Sequence, residues 1–322
     1  MAGVREIVLA TLAASPGSRS HPGPISCAVG VMAYNEERNI GRLLEALRLQ
    51  RLECCRLEQI LVVASGCTDR TESIVEVAAS RDSRVRLIRQ ARREGKARAI
   101  NIFLSAAQTA GVDVCILQSG DTLPEPGTID SLVRPMAEDS SIGMTGARIV
   151  PVNGKNTFIG AIVHMLWRLH HRLASEVPKL GELVAFRNVV AAIPADSAVD
   201  EVSIESSVMS RSLSLRYVPE AIVLNKGPET FSDFLKQRRR IHAGHLDVSS
   251  KAGYAPSTMS LSRVGRHFVA ETLSRPSQIP VGLGAAALEA AGRALGAWDF
   301  YIARKNHTVW DIAVTTKDVK GN

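Results

Sequence analysis

The chain has 322 residues, of which 45% are hydrophobic, 22% charged and 4% aromatic. This is a globular composition long enough to bury its own core, and it excludes a disordered chain, a collagen, a coiled coil, a disulfide scaffold and a multispan membrane protein. Thirty-nine Lys and Arg against 32 Asp and Glu leave a net charge of +7, which suits an anionic partner: a nucleotide diphosphate, a nucleic acid or an anionic membrane face.

Residues 1–24 read as an N-terminal extension. Arg5 and the apolar run Ile7–Ala14 have the outline of a secretory signal, but Glu6 interrupts the basic part and the run is short. A short helix followed by a Gly/Ser/Pro linker to Pro24 is therefore expected. The five cysteines (Cys27, Cys54, Cys55, Cys67, Cys115) are odd in number and lack framework spacing, which predicts reduced thiols in a cytosol-like compartment.

From Cys27 the chain repeats one pattern. The apolar run Cys27–Met32 ends in a polar turn. A helix then begins with Glu36 and Glu37 in its first turn and presents Ile40, Leu43, Leu44 and Leu47 at i, i+3, i+4, i+7. Ile60–Ala64 leads into Asp69-x-x-Glu72, which has the form of a capping box. Val85–Gln90 precedes a helix with Ile100, Phe103, Leu104 and Ala107 on one face, closed by Gly111. Val112–Gln118 is continuously apolar, as a strand buried on both faces should be, and a fourth helix presents Ile129, Leu132, Val133 and Met136. Strands alternating with helices in this way predict an α/β fold with a mostly parallel central sheet flanked by helices.

In such a sheet, ligands bind beyond the carboxyl ends of the strands. Three polar segments fall there: Ala33-Tyr34-Asn35-Glu36, Ser65-Gly66-Cys67-Thr68-Asp69 and Ser119-Gly120-Asp121. No G-x-G-x-x-G opens the first helix. Gly95-Lys96 lacks both the upstream glycine (Gln90) and the following Ser or Thr (Ala97) of a Walker loop.

Beyond Met144 the pattern is less regular. Phe158–Leu173 reads as a basic-aromatic helix, followed by Gly181–Asn188, the acidic pair Asp200-Glu201, a strand-like Leu215–Val218 and Gln237-Arg238-Arg239-Arg240. His164, His170, His171, His242 and His245 lack metal-site spacing with carboxylates. The longest apolar run, Ile279–Leu288, is broken by Glu289 and Arg293 and falls short of the ~18 residues of a spanning helix. With Trp298, Arg304 and Lys305 behind it, the segment reads either as an interfacial helix or as a Gly/Ala-rich helix packed on the body.

Ala33-Tyr34-Asn35-Glu36-Glu37, Ser65-Gly66-Cys67-Thr68-Asp69, Gly95-Lys96-Ala97, Ser119-Gly120-Asp121, Asp200-Glu201 and Gln237-x-x-Arg240 occur in one order. That order resembles family 2 glycosyltransferases of the GT-A fold, over about Ile25 to His245. The Gln-x-x-Arg element is nearest the branch that builds polysaccharides and glycolipids at membranes. The resemblance implies an inverting transfer of a sugar from a nucleoside diphosphate donor to an acceptor hydroxyl, with Mg2+ or Mn2+. It divides the chain into a nucleotide-binding half (25–143), an acceptor half (144–245) and a C-terminal helical, membrane-associating region (246–322).

The chemistry asks for the same residue types. The diphosphate gathers charge as it leaves, and a hard divalent ion is held by one or two carboxylates together with the phosphates; Asp121 is placed to supply one. A carboxylate must take the acceptor's proton, which Asp200 and Glu201 offer; Glu201 aligns with the family's catalytic carboxylate. Arg240 and Gln237 would bind the diphosphate or orient the acceptor. Tyr34 would stack on the base, Glu36 would accept from the ribose, Lys96 would lie near the diphosphate, and Ser65 and Gly120 complete the donor site. Each also has a plainer reading. Asp121 could start a turn, Asp200-Glu201 could be a solvated pair, Arg238 and Arg239 an exposed basic face, and Arg92, Arg93 and Arg98 surface charges.

The family pattern is departed from in three ways: Ser119 replaces the first acidic residue of the metal motif, Ala64 and Ser65 replace a pair of aspartates of which the first faces the base, and Ile241 replaces a tryptophan after the arginine. They leave one metal carboxylate and a UDP-sugar only slightly favoured. The acceptor is expected to be a carbohydrate, a lipid-linked or a small molecule, and nucleic acid is not expected as a partner. The expected location is cytoplasmic, with peripheral contact at the inner face of a membrane. A sugar-phosphate nucleotidyltransferase and a non-catalytic or degenerate binder of a membrane or nucleic acid are the alternatives.

Overall fold

The computed structural model describes residues 23–253 and 260–305; the expected helix within the N-terminal extension lies outside them. Its core is an eight-stranded sheet in the order β3-β2-β1-β4-β7-β6-β8-β5. Strands β1 (Ile25–Ala33), β2 (Cys55–Ser65), β3 (Val85–Gln90) and β4 (Val114–Ser119) pair in parallel. They are linked by α1 (Ile40–Arg48), α2 (Thr71–Arg81) and α3 (Lys96–Ala110). The expected largely parallel sheet is present. Its second half adds short β5 (Thr122–Pro124) and β7 (Leu183–Arg187), which run antiparallel to their neighbours, while β6 (Ile142–Pro151) and β8 (Ser214–Asn225) pair in parallel.

Two apolar layers cover the sheet. On one face α1, α2 and α4 (Thr128–Glu138) bury Leu43, Val75 and Leu132 against Val29, Ile60 and Ile116. On the other, α3 buries Phe103 and Leu104 with Leu61, Val63 and Cys115. Every residue of β4 is buried, as its apolar run Val114–Leu117 requires, and polar Gln118 and Ser119 are buried with it. Gly30 lets α3 approach: a Cβ there would lie 2.4 Å from the Phe103 ring. Gly111 ends α3 in the left-handed region at φ 65°.

Two local expectations are corrected. The first helix starts at Ile40, so Glu36 and Glu37 precede it. The capping box at Asp69 does not close: Asp69 Oδ1 accepts from the Thr71 amide (2.9 Å), whereas Glu72 reaches across to Arg89 at 2.8 Å. The nearby strand offers Glu72 a charged partner, stronger than the backbone amide that a reciprocal cap would use.

The later helices form a second layer. α5 (Phe158–Glu176), α7 (Phe231–Ala252), α8 (Leu261–Leu273) and α9 (Ile279–Trp298) pack on one another, with α6 (Asp200–Met209) beneath α7. α7 passes without a break through His245. Gly292 and Gly296 bring α9 onto α7, where Cβ atoms would lie 2.6 Å from Arg238 Cβ and from the Arg239 carbonyl. Arg238 pairs with Glu289 at 2.9 Å, and Arg239 pairs with the fully buried Asp299 in the π-helical turn Asp299–Ala303. Both arginines therefore bolt α7 to the C-terminal helix, which corrects their reading as an exposed basic face. α9 is packed on the body yet leaves Leu283 and Trp298 exposed. No described helix is long and apolar enough to cross a membrane.

Candidate active site

The turns after β1, β2 and β4 meet at the carboxyl edge of the sheet. Asn35, at φ 53°, joins the first two: its side-chain oxygen accepts from the Thr68 amide at 2.8 Å and its amide donates to Thr68 Oγ1 at 3.1 Å. Glu36 is buried; its backbone amide donates to Thr71 Oγ1 at 2.7 Å, and its carboxylate accepts from Asn39 Nδ2 at 3.1 Å. Gly120 is held close to this turn, since a Cβ would lie 3.0 Å from the Met32 carbonyl oxygen. Ser65 donates to Gln90 across the β2–β3 edge. The Arg93 guanidinium lies over the Tyr34 ring at 4.3 Å, so Arg93 belongs to the site and is not a surface charge; Arg92 and Arg98 are exposed, as expected.

These turns form one end of a cavity of about 710 Å³, whose walls include Tyr34, Glu36, Ser65, Lys96, Gly120, Asp121, Glu201, Gln237 and Arg240. The sequence-selected residues are thus brought together, with the exception of Asp200. Asp121 occupies the turn between β4 and β5, and Glu201 the first turn of α6.

A single lysine organises the acidic side. Lys96 Nζ lies 2.5 Å from Asp200 Oδ2 and 3.1 Å from Glu201 Oε1. A lysine at the start of a helix opposes the helix dipole, and the acidic pair compensates it; the same dipole favours the pair at the start of α6. Burial disfavours the Lys96 charge, but the two carboxylates outweigh it and hold the ammonium protonated. Burial also resists ionisation of Glu201, yet Lys96, the backbone at its own helix start and Lys179 overcome it and pull the carboxyl down to about 2. Asp200 is fully buried and its pKa is raised by burial in spite of Lys96. Of the pair, Glu201 lines the cavity as an ionised carboxylate, whereas Asp200 is fully buried and does not line it. Lys96 is committed to this pair as its counter-ion.

Sequence reasoning missed Glu182. It immediately precedes β7, has φ 61° and lines the cavity. Burial raises its carboxyl to about 7, helped by repulsion from Asp121 and Glu201 and opposed by Lys96 and Arg240. No spacing marks this residue; only the antiparallel insertion of β7 beside β4 brings it to Asp121. Arg240 donates to the Ala198 carbonyl at 3.0 Å, and its charge is disfavoured by burial but supported by Asp200, Glu201, Glu182 and Asp121.

The carboxylates suit a hard divalent cation. Asp121 and Glu182 are oxygen donors whose mutual repulsion an ion would relieve, and phosphate oxygens would complete its shell. Among the described residues, the group of three compact potential ligands is elsewhere, at Cys54, Cys55 and Asp130. There Asp130 Oδ1 already accepts from the Glu53 and Cys54 amides at 2.7 and 2.8 Å, and the Cys54 thiol is pushed far up by its hydrogen bond with Cys55, burial and Asp130. That chemistry resists metal.

Comparison with known proteins agrees with this geometry. The fold is similar to that of a mannosyltransferase from Pyrobaculum calidifontis in complex with GDP-Man and Mn2+, at 20% identity and a TM-score of 0.59 over 85% of this chain and 87% of that one. It is also similar to glucosyl-3-phosphoglycerate synthase from Mycobacterium tuberculosis in complex with Mn2+, UDP-glucose and phosphoglyceric acid, at 17% identity and a TM-score of 0.51 over 72% and 81% of the two chains. A mycobacterial protein matches at 18% identity with a TM-score of 0.51, over 72% of this chain and 76% of that one. At such identities the likeness is one of fold. No curated protein matches the chain in sequence. Residues 28–187 match the family model described as glycosyl transferase family 2. The chain therefore carries a glycosyl transferase family 2 domain and is a glycosyltransferase.

Proposed function

We propose that the chain is an inverting glycosyltransferase that moves a sugar from a nucleoside diphosphate donor, with UDP favoured, to an acceptor hydroxyl. The observation that carries this reading is that Asp121 and Glu201, eighty residues apart in the chain, line one cavity with Gln237 and Arg240. Tyr34, clamped by Arg93, stacks on the base, and the Glu36 carboxylate accepts from the ribose. Ser65 and Gly120 allow the nucleotide to approach the backbone. Arg240 meets the diphosphate and Gln237 orients the acceptor. Asp121 and Glu182 would hold Mg2+ or Mn2+, which neutralises charge on the leaving diphosphate.

Glu201 takes the proton from the acceptor hydroxyl as its oxygen attacks the anomeric carbon. The new C–O bond forms on the face opposite the breaking bond to the diphosphate, so configuration inverts. The low pKa of Glu201 keeps it ionised and ready, and Lys96 fixes its direction. Asp200 is a positioning residue that acts through Lys96. Residues 25–143 serve the donor and 144–245 the acceptor. Exposed Leu283, Trp298, Tyr301 and Ile302, beside Arg304 and Lys305, support peripheral contact of the 246–322 region with an anionic membrane face on the cytoplasmic side.

The test is a screen of UDP-, GDP- and dTDP-sugars for release of the nucleoside diphosphate, with and without Mn2+. Glu201→Gln should cut turnover about 10²–10⁴-fold while nucleotide affinity stays within twofold. Asp121→Ala should remove the metal dependence of donor binding. A chain that binds none of these donors ends the reading.

A further inference from the structure

The cavity does not stop at the carboxylates. It continues between α5, α7, α8 and α9, where Leu166, Trp167, Leu173, Val264 and Phe268 form its wall. Four of these side chains (Leu166, Trp167, Val264 and Phe268) are only half-buried: Leu166, Trp167 and Phe268 pack partly on the cluster formed by Ile159, Ile162 and Phe234, and each of the four leaves apolar surface on the cavity. Beyond its base, which Tyr34 serves at the other end, a nucleotide sugar has no apolar surface to set against such a wall. Its size and chemistry suit the other reactant.

A belt of charge rings this apolar end. Lys179, Arg238 and Arg293 line it, as does the carboxylate of Glu289. Glu289 is shared, with Arg238 at 2.9 Å and Arg293 at 3.9 Å, while Lys179 reaches the buried Glu205 at 3.8 Å. His170 and His245 face the same space, and both are held neutral by burial reinforced by Lys179 and Arg238. An anion entering here meets three cations lining one wall, whose positive field the two histidines already register.

We propose that this chamber is the acceptor site for an anionic amphiphile, whose apolar body rests against Trp167, Val264 and Phe268 and whose phosphate or carboxylate meets Lys179, Arg238 and Arg293. The inference rests on the glycosyltransferase reading and adds the substrate class to it. The acceptor hydroxyl then projects toward Glu201 at the polar end of the same cavity.

Gly265 provides the means to test it. It lines the chamber, and a Cβ there meets no atom within 4 Å, so the ring of Gly265→Phe enters open space instead of displacing a neighbour. The probes are decyl phosphate, decanol and inorganic phosphate, titrated below micelle formation with intrinsic tryptophan fluorescence as readout, because Trp167 stands in the wall. The full chain should bind decyl phosphate at least tenfold more tightly than either of the other two. Gly265→Phe should weaken decyl phosphate at least tenfold while UDP and Mn2+ affinity, measured separately, stays within twofold. Arg293→Gln should leave decanol binding unchanged and erase most of the preference for decyl phosphate, which keeps the test decisive if the larger substitution disturbs folding. Equal binding of decyl phosphate by the full chain and Gly265→Phe, or binding of phosphate alone as tight as decyl phosphate, overturns the proposal. Failure of UDP binding with decyl phosphate binding intact overturns the transferase reading instead and leaves the chamber as an amphiphile site.

Discussion

The two ends of the cavity are built by different physics. The donor end rests on turns at the tips of parallel strands, and backbone geometry places it: Asn35 and Gly66 adopt positive φ, Gly120 closes on Met32, and the Phe103 ring covers Gly30. The acceptor end rests on helices held by ion pairs between distant residues, among them Lys96–Asp200, Arg238–Glu289, Arg239–Asp299 and Arg168–Glu271. Several of these bury one carboxylate completely. Packing defines the first region and charge compensation the second, so the two should fail under different insults.

The largest effect is expected where the regions are joined. Lys96 starts α3 on the donor side and neutralises Asp200 and Glu201 on the acceptor side. Lys96→Met keeps the stem and removes the charge, leaving the fully buried Asp200 without its ion-pair partner. Breaking a buried pair in this way costs about 3–5 kcal/mol, which a urea unfolding midpoint would register. Lys96→Met combined with Asp200→Asn should recover much of that loss, because the orphaned charge is then gone. If the single variant is as stable as the parent, charge compensation does not hold the acceptor side. A smaller, purely steric effect belongs to the donor side. Gly30→Ala drives a methyl to 2.4 Å from the Phe103 ring, and such overpacking costs roughly 1–3 kcal/mol.

The same division explains what the sequence discloses. The first four strands and helices follow from hydrophobic period because each buries a face locally, and Ile40, Phe103 and Ile129 are all fully buried as their spacing requires. Asp121 and Glu36 lie just after strands, where a parallel sheet puts its ligands. Asp200 and Glu201 look equivalent as letters, but successive residues on a helix point about 100° apart, so one enters the core and the other the cavity. Glu182 and Arg93 have no local signal at all; one depends on a strand inserted antiparallel and the other on a ring two strands away. Arg238 and Arg239 read as a charge run because their partners, Glu289 and Asp299, are some fifty and sixty residues downstream.

The smallest expected effect concerns acid, and it should single out the acceptor side. Burial first, then Lys179 and Arg238, push His170 down to about 3, and His245 is held well below its ordinary value by burial and the same cations. Both are neutral in the folded chain at pH 6, whereas in the unfolded chain each takes up a proton as pH falls through about 6.5. The unfolded state then binds more protons, so stability rises with pH: the contribution is complete above the ordinary histidine value and is lost as pH falls below it. Between pH 7 and pH 6 the two histidines together should remove about 1 kcal/mol, seen as a lower urea midpoint with an unchanged slope. His170→Phe should flatten roughly half of that dependence, since the ring is kept and the titration is not. The donor side carries no comparable histidine among its described residues, so Gly30→Ala should shift the whole curve without altering its dependence on pH. A curve equally steep with and without His170 would place the acid-sensitive group outside the chamber and dissolve the distinction between the two ends.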